Sequence, residues 1–195
     1  MQNIALTGSI GSGKSIVSRI FKILGIPVFN ADREAKECYS EPAVLEQVIE
    51  AFGKGVADGG KINVRALSEI VFNDPESLRR LNSIIHPRVW QRYLEWRANL
   101  TNKPYLIMEA ALIFEAGLAD KFDQIITVYA EQELCINRVM ERDGITNDDV
   151  RRRMGAQWDA EEKVKRSDLI IYNDDKQLVI PQILKIHYKL LEPSD

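Results

Sequence analysis

Within residues 3–30 a short apolar run, a glycine-dense turn, an amphipathic stretch and a second apolar run follow one another. This order restricts the fold more than any other feature of the chain. Asn3–Thr7 reads as a buried strand because it is short, apolar and closed by glycine. After the glycines, Ile16, Val17, Ile20, Phe21, Ile23 and Leu24 make a broad helical face, and Gly25 stands where a helix stops. Ile26–Asn30 reads as a second strand, ending just before Asp32. Parallel strands need a crossover between them, so the chain opens as a strand–loop–helix–strand unit.

Further strands are predicted at Tyr105–Ala110, Gln124–Ala130 and Leu169–Asn173. Helical patterns cover Glu131–Asp143, about Asp148–Ser167 and Lys176–Leu191, where Pro181 must start the last helix or kink it. Five strands alternating with helices predict an α/β fold with a doubly wound parallel sheet, whose ligands bind beyond the carboxyl ends of the strands. Residues 33–100 differ: they offer no convincing strand, a helix opening at Asp74-Pro75-Glu76, a proline at Pro87 that interrupts a helical pattern, and a turn or loop at Val56–Lys61. This block reads as a helical insertion into the core.

The remaining composition narrows the class. A chain of 195 residues supports one sizeable core. Its apolar runs fall far short of the roughly 20 residues that cross a bilayer, and the opening lacks a signal-peptide pattern. A net charge of −3 argues against a general nucleic-acid footprint. Cys38 and Cys135 fit neither a disulfide framework nor a metal knuckle, and read as reduced thiols of a cytoplasmic protein. Two histidines, His86 and His187, rule out a His-rich metal site. No feature speaks to oligomeric state.

The turn "LTGSIGSGKS" matches Gly8-x-x-x-x-Gly13-Lys14-Ser15, the P-loop pattern, between a predicted strand and a predicted helix. Glycines let successive N–H groups turn inward around an anion, and the following helix adds its positive end. Lys14 can reach the outer phosphates and Ser15 can ligate Mg²⁺, so the loop predicts a nucleoside-triphosphate site. The guanine-reading Asn-Lys-x-Asp of GTPases is absent, and the apolar strand before the acidic residue ends in Glu109 rather than Asp. A small-molecule kinase remains. Asp32 follows the second strand, where a carboxylate can orient and deprotonate an acceptor hydroxyl; it can equally cap a helix starting at about Arg33. Arg138 and Arg142 share a helical face and suit phosphoryl oxygens, whereas Arg151 and Arg152 read as a solvated surface, like the pairs Glu161/Lys165 and Glu162/Arg166. Trp90, Tyr93 and Trp96 read as core or groove lining.

Taken together, "LTGSIGSGKS", "ILG" (Ile23–Gly25), "NAD" (Asn30–Asp32), "RALSEIVF" (Arg65–Phe72), "LNSIIHPRV" (Leu81–Val89), "LIFEAGL" (Leu112–Leu118), "RVMERDG" (Arg138–Gly144), "RMGAQ" (Arg153–Gln157) and "IIYN" (Ile170–Asn173) resemble dephospho-coenzyme A kinase over most of the chain. The resemblance implies a P-loop kinase fold with a core at about 1–32, 101–137 and 168–195, a helical substrate-binding insertion at about 33–100 and a helical lid at about 138–167. It implies phosphorylation of the ribose 3′-hydroxyl of dephospho-coenzyme A, with ATP as donor and Mg²⁺ as cofactor. Asp32, Lys14, Arg138 and Arg142 would be catalytic; Gly8, Gly11, Ser12, Gly13, Lys14, Ser15, Ile16 and Asn173 would bind ATP. Thr7, Asp32, Arg65 and His86 would bind the acceptor. Ser9, Ile16 and Asn30 stand where the family usually has Gly, Thr and Asp, and Ala111 where a proline commonly precedes the "LIFE" segment.

Overall fold

A computed structural model describes residues 1–71 and 73–192 of the chain. Phe72, the end of the "RALSEIVF" match, and residues 193–195, the end of the expected core segment 168–195, lie outside the described residues. In chain order the elements are β1 (Gln2–Thr7), α1 (Lys14–Ile23), β2 (Val28–Asn30), α2 (Ala31–Cys38), α3 (Pro42–Phe52), β3 (Ala57–Asp58), β4 (Lys61–Ile62), α4 (Val64–Val71) and α5 (Pro75–Ala98). These are followed by β5 (Tyr105–Glu109), β6 (Gln124–Tyr129), α6 (Gln132–Asp143), α7 (Asn147–Met154), α8 (Ala160–Lys165), β7 (Leu169–Tyr172) and α9 (Val179–Leu191). Two compact units result: Met1–Asn30 with Leu100–Asp195, and Ala31–Asn99.

The first unit carries a five-stranded sheet in the order β2-β5-β1-β6-β7, parallel at every pairing. The continuous apolar run of β1 follows from its central place, where both faces are covered and Asn3 to Thr7 are all buried. The chain leaves β1 to one side for β2 and later crosses to the other for β6 and β7. That reversal puts the switch point at the carboxyl end of β1, where the glycine loop begins. Ile4, Leu6, Tyr105, Ile107, Ile126, Val128 and Ile171 present one sheet face to Val17 and Phe21 of α1 and to Ile183, Ile186 and Leu190 of α9. Each such side chain contributes roughly 1.5–3 kcal/mol by leaving water. The helix α9 begins at Val179, so Pro181 lies in its first turn, where its missing N–H is not needed.

A polar pair is set into this face. The Tyr105 hydroxyl lies 2.6 Å from His187 Nδ1, and both residues are buried. Burial pushes the His187 imidazole below its usual value of 6.5, and does the same to the half-buried His86 in the other unit. The unfolded chain therefore binds protons more readily, and stability is lost as pH falls through the ordinary histidine range. Thermal midpoints taken from about pH 7.5 down to about pH 5.5 will fall, and His86→Gln/His187→Gln will flatten that fall. An equal slope in the double variant would assign the loss to other groups.

The second unit is mainly helical, with two departures from the expected pattern. Around Val56–Lys61 the chain forms a two-stranded antiparallel ribbon, Ala57 opposite Ile62, rather than a plain loop. The turn Gly59-Gly60 has φ of 54° and 75°, as a tight hairpin requires, and strands of two residues are too short to show alternation. Pro87 does not interrupt α5. Leu81, Ile85, Val89 and Tyr93 form a continuous buried stripe, while Pro87 is exposed, so the broken hydrogen bond faces water. Asp74 caps this helix, accepting from the N–H groups of Glu76 and Ser77. Arg92 of α5 ties α2 to the unit through Glu34 at 2.7 Å and reaches Glu41 at 3.2 Å.

Candidate active site

At its three glycines the loop has no room for a side chain. A Cβ on Gly8 would stand 2.4 Å from Val128 O, one on Gly11 2.4 Å from Cys135 O, and one on Gly13 2.2 Å from Asn173 Nδ2. Gly13, at φ 95°, caps α1 in a left-handed conformation, and no acidic residue occupies the first turn of that helix. Lys14 is buried, its ammonium donating to Gly8 O at 2.7 Å and Ser9 O at 3.1 Å. Ser12 Oγ is buried without a partner, whereas Ser15 and Ile16 are exposed at the head of the helix. A backbone cradle, an orphaned hydroxyl, an internal cation and an uncompensated helix N-terminus fit a phosphate chain. Among the described residues no group of three or more His, Cys, Asp or Glu could hold a metal.

The structure brings Asn173 and Arg138 to this loop by its far side. Asn173 Nδ2 donates to Ser12 O at 2.8 Å, and Arg138 reaches Asn173 O at 3.0 Å and Asp175 Oδ1 at 2.5 Å. Arg142 is more exposed and forks onto Asp143, holding that carboxyl below the usual range and its own guanidinium higher. The neighbouring arginines are likewise engaged: Arg151 with Glu133 and Asn147, Arg152 with Asp149, Arg153 with Asp143. Thr7 ends β1, fully buried, with its hydroxyl donating to Ala111 O at 3.4 Å.

Three candidate residues belong to the other unit. Asp32 is an exposed residue in the first turn of α2. That helix begins at Ala31, not about Arg33, so Asp32 sits inside the helix rather than at its cap. Arg65 is exposed on α4, beside Glu69, and His86 is half-buried on α5. Both cysteines are free and buried, and burial raises both thiols above their ordinary pKa, which makes them poor nucleophiles.

Three residues near the loop hold contacts that no local pattern in the sequence signals. Glu109, at the end of β5, is buried and accepts from Ser18 Oγ at 2.7 Å and Asn30 Nδ2 at 2.8 Å. Lys163 is fully buried, pairs with Glu115 at 2.8 Å and donates to Ala111 O at 2.7 Å. Gln157 accepts from the Ile10 N–H at 2.9 Å. The expected single helix over Asp148–Ser167 is in fact α7 and α8, parted at Gly155–Asp159, and the expected i,i+4 pairs are replaced by Glu162–Lys165 at 2.6 Å. A cavity of about 290 Å³ opens beside the loop, lined by Ser9, Gln132, Cys135, Arg151, Met154 and Trp158.

The geometry is that of a P-loop phosphotransferase. A sequence model of the dephospho-CoA kinase family matches residues 2–178. A dephospho-CoA kinase from Bacteroides fragilis strain YCH46 is 36% identical over 194 residues, covering 95% of each chain. The crystal structure of TT1252 from Thermus thermophilus superimposes with a TM-score of 0.87 at 32% identity over 98% of both chains. The dephospho-CoA kinase from Campylobacter jejuni does so with a TM-score of 0.68 at 29% identity over 96% of both. The chain belongs to the dephospho-CoA kinase family, whose members phosphorylate dephospho-coenzyme A with ATP in coenzyme A synthesis.

Proposed function

We propose that this chain carries out its family's reaction by in-line transfer of the γ-phosphoryl group of ATP to the ribose 3′-hydroxyl of dephospho-coenzyme A. The observation that carries this reading is the buried ammonium of Lys14, held by the carbonyls of a loop that admits no side chain at Gly8, Gly11 or Gly13. The loop amides and Lys14 hold the β- and γ-phosphates. Ser15 holds Mg²⁺, which when bound offsets the charge of those phosphates. Asp32 orients the 3′-hydroxyl and takes its proton, while Arg138 and Arg142 meet the negative charge that spreads over the transferring group. Asn173 lies toward the ATP base. The unit Ala31–Asn99 receives the acceptor through Arg65 and His86, with Thr7 on the acceptor side, and residues 138–167 act as a lid that excludes water.

The protein works on small molecules, away from nucleic acid and membranes, in the cytoplasm. Among the described residues no helix is long and apolar enough to cross a bilayer. The test is ADP release with Mg²⁺-ATP against dephospho-coenzyme A, adenosine, AMP, CMP and a blank without acceptor. ADP release only with dephospho-coenzyme A, matched by coenzyme A, is the expected result. Turnover confined to AMP or CMP would refute the acceptor assignment.

A further inference from the structure

The turn between α7 and α8 reaches the phosphate loop through one side chain. Ile10 lies inside the motif, between Gly8 and Gly13, and its N–H donates to Gln157 Oε1 at 2.9 Å. The residue after Gln157 is pinned in two ways. The Trp158 N–H donates to Glu115 Oε1 at 2.7 Å, and its ring stacks on Phe114 with centroids 5.7 Å apart and planes 9° from parallel. Glu115 is held by the buried Lys163, whose ammonium also donates to Ala111 O. Ala111 O in turn accepts from the hydroxyl of Thr7, the residue before Gly8. The contacts close a ring: loop tip, Gln157, Trp158, Glu115, Lys163, Ala111, Thr7, and back to the start of the loop.

Stability alone does not account for this ring. Glu115 Oε2 is buried without a partner, and a buried ion pair is commonly no more stable than the apolar residues that could replace it. A costly pair that fixes a turn against a phosphate loop serves geometry. Transfer is sensitive to such geometry, because an ångström of misplacement between donor and acceptor slows it steeply.

We propose that Gln157 is a positioning residue for phosphoryl transfer, fixing the tip of the phosphate loop through the Ile10 N–H, with Glu115 and Lys163 holding the turn that carries it. The inference rests on the family's reaction. Its test uses the full chain with Gln157→Ala and Gln157→Glu, and two readouts. In Gln157→Ala the Ile10 amide will exchange with solvent about tenfold faster, the worth of one net hydrogen bond, while Gln157→Glu, which keeps an acceptor oxygen at the same reach, will retain slow exchange. In the same Ala variant kcat for coenzyme A formation will fall about tenfold with KM for ATP within about twofold, the pattern of an interaction needed in the transition state, and the thermal midpoint will drop by only about 3–5 °C, the loss of one net hydrogen bond in a chain of this size. The double variant Lys163→Met/Glu115→Gln, which removes the pair without stranding a charge, will speed Ile10 exchange as well. Wild-type Ile10 exchange or wild-type kcat in Gln157→Ala overturns the role of Gln157, and slow exchange in the double variant overturns that of its supports. A parent protein that makes no coenzyme A would sink the family reaction instead, and the exchange data would still decide whether Gln157 holds Ile10.

Discussion

Lys14→Met will lower kcat for coenzyme A formation by about 10²–10³-fold while leaving the chain folded. The side chain does two things that methionine cannot. Its ammonium bridges Gly8 O and Ser9 O, tying the first half of the glycine loop to the helix that follows. It also places a full positive charge inside the loop, where the outer phosphates gain negative charge as transfer proceeds. Methionine has a similar length and apolar stem, so the packing beside buried Val17 and Ser18 survives and circular dichroism will match the parent, while the two lost hydrogen bonds lower the thermal midpoint by several degrees without unfolding the chain. Lys14→Arg will not restore the rate, because a planar fork cannot occupy a site shaped for a compact ammonium between two carbonyls. Steady-state assays of both variants check this; a kcat within about threefold of the parent in Lys14→Met would remove the lysine from the transition state.

The loop and the sheet were legible because each is written in local terms. β1, α1 and β2 are consecutive, each has a single periodicity, and the glycines between them serve one mechanical purpose. The strands β5, β6 and β7 are short apolar runs with few alternatives, and their predicted and observed ends differ by no more than a residue. The apolar run extends the expected β2 back over Ile26 and Pro27, whereas the strand begins at Val28: Ile26 is buried in the core, and burial there does not require strand geometry.

Long-range partners were not legible. Lys163 stands among Glu161, Glu162, Lys165 and Arg166, and such a run reads as a solvated face. Only the docking of α8 onto the sheet shows that its 163 position faces inward, onto a carboxylate forty-eight positions earlier in the chain. Gln157 gave no chemical signal, since an amide side chain has no charge and its partner is a backbone N–H. Glu109 was noticed only as a departure from the expected aspartate, although its bonds to Ser18 and Asn30 make it a buried brace between α1, β2 and β5. Pro87 misled for the opposite reason: its local rule is strong, but a buried stripe of four residues along the other side of α5 outweighs one lost hydrogen bond.

Asp32→Asn will lower kcat by about 10²–10⁴-fold, the usual contribution of a positioned general base, with KM for ATP little changed. Asparagine keeps the size and shape of the side chain but cannot take a proton from the acceptor hydroxyl. The position itself makes the experiment clean. Asp32 is exposed in the first turn of α2, so losing its charge there costs the helix only about 0.3–1 kcal/mol, too little to unfold the protein. Its neighbour Glu34 in the same turn retains a favourable negative charge and is anchored by Arg92, which keeps α2 in its own unit when Asp32 changes. Asp32→Glu separates the need for a base from the need for its placement: it supplies the base at a different reach, and should recover less than the full rate. Should Asp32→Asn turn over at near the parental kcat, the proton would have to leave by another route, and the carboxylate of Asp32 would be confined to orienting the acceptor.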